Sequence, residues 1–249
     1  MNEGATRQRL ALWREANLLD TGSMTSTTPV RRVRARRELD RLGPVEQVRA
    51  GRLGRRLPQL LAGLILYGVT LAMIIRGTLG NAPWDVLHQG LARHLPISIG
   101  TAVIAVSLLV VVLWIPLREL PGLGTIANTF VVGLSADAAL AVIAQADRLW
   151  ERVALTLGGV LLNAVATAMY IGSQFGPGPR DGLMTGLHRR TGLPIGLVRT
   201  CLEVTVVGIG WLLGGVLGLG TVLYAVAIGP LVQWLLPVFI VDLQEHLRE

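Results

Sequence analysis

Lysine is absent: all 23 basic residues of this 249-residue chain are arginine. Codon usage in a GC-rich genome is the simplest source of that bias. The absence still excludes a Walker-type nucleotide loop, whose lysine reaches the phosphates. Cysteine occurs once, as Cys201, so no internal disulfide can form. Its apolar neighbours predict burial as a small hydrophobe. The four histidines, His88, His94, His188 and His246, have neither HExxH nor Cys-His spacing, so no metal site and no cofactor is expected. No nucleophile, base and orienting group share a usable spacing, which argues against an enzyme. Charged residues make up only 16% of the chain.

What charge there is lies mostly at the start. Residues 1–57 hold 13 arginines and no long apolar run, so they do not read as a secretory signal peptide. The stretch 25–37, TSTTPVRRVRARR, has the composition of a disordered basic tail. Its expected partner is anionic lipid at the cytoplasmic surface. No aromatic or RNA-binding motif accompanies the arginines, so nucleic acid is not expected. Met24 offers an alternative start.

Six apolar segments follow, near residues 57–75, 97–117, 123–144, 153–172, 195–217 and 220–241. Each is long enough to cross about 30 Å of hydrocarbon as a helix, the form in which a spanning backbone satisfies its own hydrogen bonds. Trp114, Trp150, Trp211 and Trp234 fall near segment ends, as an interfacial aromatic belt would place them. The basic tail predicts a cytoplasmic N-terminus, and an even number of spans returns the C-terminus to the same side.

The segments repeat. A shift of 96 residues pairs Gly63 with Gly159, Gly80 with Gly176, Pro83 with Pro179, Asp85 with Asp181, Gly90 with Gly186, Gly133 with Gly229, and the run 122–125 (GLGT) with 218–221 (GLGT). A slip of two residues pairs Pro96-Ile97 with Pro194-Ile195. Self-similarity of this kind sets the architecture. Each unit holds three spans, an odd number, so the second copy enters the membrane from the opposite side as an inverted repeat. The expected fold is all-α and polytopic, with about six transmembrane helices in two inverted three-helix repeats. The expected division is a tail at 1–57, repeat 1 at 58–145 and repeat 2 at 146–249.

Between the first two spans of each copy lies a segment too short to cross, 84–95 and 180–191. Proline fits the first turn of a helix, and Asp85 and Asp181, two residues after Pro83 and Pro179, sit where the helix dipole favours negative charge. These Pro-x-Asp elements are therefore short helices. They are either interfacial connectors capped by their aspartates or re-entrant half-helices lining a substrate path. The candidate path residues are Pro83, Asp85, Pro179 and Asp181, with Asp137 in the third span and its mate Gln233. Arg199 and Glu203, spaced i,i+4 in the fifth span, form a candidate structural ion pair.

The motifs APWDVLHQGL, SIGT, LWIPLRELPGLGT, GPGPRDGLMTGL and the closing LGLGT with IGPLVQ resemble those of the YczE/YitT-like family of bacterial integral membrane proteins, over about residues 58–236. The resemblance implies a multi-span inner-membrane protein of duplicated origin; it implies no substrate and no catalytic residues. Architecture points to a permease for an unknown small solute. The competing reading is a non-transporting accessory protein that binds a partner, and a homo-oligomer is compatible with both. Introduced cysteines test the topology: with Arg93→Cys outside and Arg189→Cys inside, an impermeant thiol reagent on intact cells should label only the first.

Overall fold

Helix starts and stops follow from local chemistry. In the computed structural model, residues 43–243 are described, all within one compact unit, Arg36–Glu249. The expectations for the basic stretch 25–37, for Met24 and for the last six residues lie outside the described residues. The helices are α1 (Pro44–Arg49), α2 (Leu53–Gly77), α3 (Pro83–His94), α4 (Ile99–Leu117), α5 (Leu123–Val142), α6 (Leu149–Gly172), α7 (Pro179–Thr191), α8 (Ile195–Leu212) and α9 (Leu219–Phe239). α3 and α7 open on Pro83 and Pro179 with Asp85 and Asp181 in the first turn, as dipole and sterics require. Ser98 caps α4 by accepting a hydrogen bond from Thr101 N at 3.0 Å. Before α3 and α7 the chain turns through Gly80 at φ 120° and Gly176 at φ 102°, a region that favours glycine.

α2, α4, α5, α6, α8 and α9 are long and apolar enough to cross a membrane. Large apolar side chains such as Ile115, Leu212 and Leu219 stand more than 70% exposed on them, an outer surface suited to lipid and costly in water. Inside, Leu60, Leu64 and Leu71 of α2 pack with Val103, Val132 and Phe175.

The 96-residue shift reappears in the contacts. The helix starts pair as 53 with 149, 83 with 179, 99 with 195 and 123 with 219, so the two-residue slip at Pro96 and Pro194 is taken up before the next helix begins. Gly220 N donates to Leu79 O at 2.8 Å, and its mate Gly124 N donates to Phe175 O at 2.7 Å. A Cβ on Gly63 would lie 3.1 Å from Ala166 O, and one on Gly159 3.3 Å from Thr70 O. Small residues thus let α2 and α6 approach backbone to backbone, as in other membrane bundles. Where Gly210 of α8 meets the backbone at Val86 and Leu87 of α3, its mate position holds Trp114, packed over Gly182 of α7. Large and small residues exchange places between the two copies, so both interfaces fill.

Three sequence expectations change. Trp114 is buried, with its Nε1 donating to Pro179 O at 3.0 Å, so it belongs to a helix interface rather than an aromatic belt; Trp150, Trp211 and Trp234 are exposed. Cys201 is exposed, because the outward face of a spanning helix is itself apolar. The described part of the expected tail, residues 43–57, contains α1 and the first turn of α2. There Arg56 is fully buried, donating to the carbonyls of Gln47, Gly51, Ser173 and Gln174 beneath the ring of Phe175. Arg56 is buried because four acceptors converge on it, which residue type alone does not announce.

Gly63→Val should force α2 from α6 and cost about 1–3 kcal/mol. Gly196→Ala, whose Cβ would meet nothing within 4 Å, should leave the melting temperature in detergent nearly unchanged.

Candidate functional site

The start of α3 and the start of α7 meet inside the bundle. Arg180 Nη2 lies 3.8 Å from Asp85 Oδ1, and its guanidinium carbon sits 5.1 Å from the centre of the Trp84 ring, within cation–π reach. Trp84 and Arg180 are themselves mates under the 96-residue shift. The two helix starts therefore stand side by side, not a membrane thickness apart.

A cavity of about 270 Å³ opens at this meeting point. α3 contributes Pro83 and Trp84; α7 contributes Arg180, Asp181 and Met184; α8 contributes Arg199, Leu202 and Glu203; α9 contributes Tyr224, Ile228 and Gln233. All three tyrosines of the chain, Tyr67, Tyr170 and Tyr224, line it. The polar groups are tied down from behind. Tyr170 OH donates to Asp181 Oδ2 at 2.6 Å. Tyr224 OH donates to Asn163 Oδ1 at 2.9 Å, and Asn163 Nδ2 donates to Thr70 Oγ1 at 2.8 Å. Tyr67 and Tyr170 meet edge to face, with ring centres 6.3 Å apart. Asp85 is buried between Arg180 and His88, whose Nδ1 is 3.0 Å from Asp85 Oδ1.

In formal charge, Arg180 and Arg199 stand against Asp85, Asp181 and Glu203. Partly buried charges are best held with partners, and each arginine has a carboxylate beside it. Arg199 Nε donates to Glu203 Oε1 at 2.9 Å, which is the ion pair the i,i+4 spacing suggested. The pair also forms part of the cavity wall.

Of the sequence-derived path residues, Pro83, Asp181 and Gln233 line the cavity. Asp85 stands behind Arg180, and Pro179 gives its carbonyl to Trp114. Asp137 is a correction: it does not converge with the other two aspartates. Its carboxylate accepts from Gly100 N at 2.7 Å and from Ser98 Oγ, capping the start of α4, where four backbone N–H groups lack intrahelical partners. The sequence reading noted Asn163 as an amide inside a span but missed the tyrosines, Trp84 and Arg180. The repeat held a signal for some of them, since it pairs Tyr67 with Asn163 and Asn128 with Tyr224, polar groups at matched positions inside apolar spans.

Such a bundle, with six helices long and apolar enough to cross a membrane, defines a polytopic α-helical membrane protein. The model of the family of unknown function DUF6198 matches residues 54–237, and the chain belongs to that family. An uncharacterized protein of Haemophilus influenzae is 41% identical over 177 residues, 71% of this chain and 81% of that protein. The uncharacterized membrane protein YczE of Bacillus subtilis is 29% identical over 178 residues, 71% of this chain and 83% of its own length. The uncharacterized protein YyaS of the same organism is 23% identical over 180 residues, covering 71% and 90%. The resemblance to YczE read from the motifs is thereby borne out. No solved structure matches the chain.

Removing one partner of the Asp85–Arg180 contact strands the other charge. Asp85→Asn and Arg180→Gln should each cost on the order of 3 kcal/mol. The double variant should lose clearly less than the sum, as measured by a double-mutant cycle of melting in detergent; additive losses would mean that the two groups do not interact.

Proposed function

We propose that the chain is a permease for a small polar solute, working by alternate opening of two mated helix pairs. The observation that carries this reading is an asymmetry between the copies. In the first, α4 packs on α5 through Gly100 and Gly133: a Cβ on Gly100 would collide with Gly133 O and the Asp137 carboxylate. In the second, the mates Gly196 and Gly229 have nothing within 4 Å of where a Cβ would lie, and Gln233, the mate of Asp137, lines the cavity instead of capping α8. One helix pair is shut and its counterpart is apart. Two like units in unlike states are the starting point of alternating access, in which the units exchange states around a fixed site.

In this reading the units are inverted repeats in the bacterial cytoplasmic membrane, with both termini cytoplasmic, and α3 and α7 are re-entrant half-helices. Their short non-helical leads are tolerated because they line a cavity. The cavity is smaller than the roughly 300–1,000 Å³ of drug-sized pockets. It offers guanidinium and phenol donors and carboxylate acceptors together. That suits a small neutral or zwitterionic solute better than a simple anion, because Asp85 and Asp181 already complement the helix dipoles. The reading assigns no covalent chemistry to the site.

A disulfide tests the exchange. In a Cys201→Ser background, Gly196→Cys and Gly229→Cys each face open space in the state described, whereas a disulfide needs Cβ atoms about 4 Å apart. Oxidation of the protein in proteoliposomes should nevertheless trap a cross-linked fraction as α8 closes on α9. A pair that never cross-links would mean that the second gate does not close, and the permease reading fails.

A further inference from the structure

A second cavity, of about 430 Å³, lies at the end of the bundle where α2 stops and α6 begins. Its polar lining is Arg76, Thr78, Gln89, Arg93, Gln145 and Arg152, with no carboxylate among the lining residues. None of the three arginines has an ion-pair partner among the described residues. Their only hydrogen bonds there are to backbone carbonyls: Arg76 Nη2 donates to Leu140 O at 2.5 Å, and Arg93 Nη1 to Gly214 O. The Nε atoms of Arg76 and Arg152 and the hydroxyl of Thr78 are shielded from solvent and have no partner at all. The oxygen of Gln89 is taken up by Asn81 Nδ2 and Val216 N, which leaves its amide nitrogen as the end available to a ligand.

The duplicated half shows what such an arginine requires. Arg152 is the 96-residue mate of Arg56. Arg56 is satisfied by four carbonyls, one of them from Gln47 in α1. At Arg152 no such acceptors arrive, and a cavity stands there instead. Three guanidinium groups converging without a counter-charge repel one another and leave buried donors unmet. An oxyanion would resolve both, because guanidinium forks match phosphate geometry.

We propose that this cavity is a binding site for a phosphate-class oxyanion, held by Arg76, Arg93 and Arg152 with Thr78 and Gln89. The inference is independent of the permease reading. The anion has two sources, free phosphate from solution or the phosphodiester of an anionic lipid whose chains lie in the surrounding bilayer.

The test uses the full chain, purified in a non-phosphate buffer. Inorganic phosphate binding is measured by calorimetry, and retained phosphatidylglycerol is measured by native mass spectrometry against phosphatidylcholine. Binding of either probe should weaken about tenfold or more in Arg152→Gln, since charge-assisted hydrogen bonds are lost. Arg152→Lys should retain part of it, and Arg199→Gln, in the other cavity, should leave it unchanged. The exposed Arg93→Gln supplies a second variant should Arg152→Gln fail to fold. Phosphate binding that is sensitive to Arg152 or Arg93 supports a free anion, and phosphatidylglycerol retention with the same sensitivity supports a lipid headgroup. No binding of either probe by the unmodified protein, or binding that both variants leave unchanged, overturns the proposal. Transport and the Gly196–Gly229 cross-link are separate readouts, unaffected by that failure.

Discussion

Two stretches of non-helical backbone, residues 78–82 and 173–178, run among the membrane-crossing helices. Most of these residues are buried, so other parts of the chain must satisfy their N–H and C=O groups. Much of the architecture answers that demand. Leu79 O and Phe175 O receive the N–H groups of Gly220 and Gly124 at the starts of α9 and α5. Asn81 N finds Val216 O at 3.2 Å, and Ser173 O and Gln174 O receive the guanidinium of Arg56. These bonds pin the leads of α3 and α7 to the far copy, which is why the two short helices point their first turns at one another.

From that pinning follows the polar cavity. Helix N-termini favour negative charge, Asp85 and Asp181 supply it, and Arg180 answers Asp85 from the opposite copy. The tyrosines fill the space around the pair, with the hydroxyls of Tyr170 and Tyr224 donating to Asp181 and Asn163. Similar geometry does not force similar state, however. Gly100 and Gly133 are in contact while Gly196 and Gly229 are not, and Arg56 donates to four carbonyls while Arg152 has an Nε with no acceptor. These mated positions carry the same residue type, glycine or arginine, and differ in what surrounds them.

The sequence by itself determined the membrane-spanning character, the number of spans, the short helices opening at Pro83 and Pro179, and the i,i+4 pair Arg199–Glu203. These depend on run length, periodicity, capping and spacing, all local along the chain. The duplication was legible too, because glycine and proline positions are fixed by backbone geometry that a copy must preserve. Only the tertiary structure decided which polar residues meet. Asp137 and Asp85 are both aspartates at apolar addresses, yet one caps α4 and the other faces an arginine 95 residues away along the chain. Trp114 looked interfacial from its place near a helix end and proved buried, because Gly182 of α7 leaves room for its ring and Pro179 O accepts from its Nε1. Which partner a buried polar or bulky group finds depends on helices far apart in sequence arriving at one point, and no window along the chain contains that information.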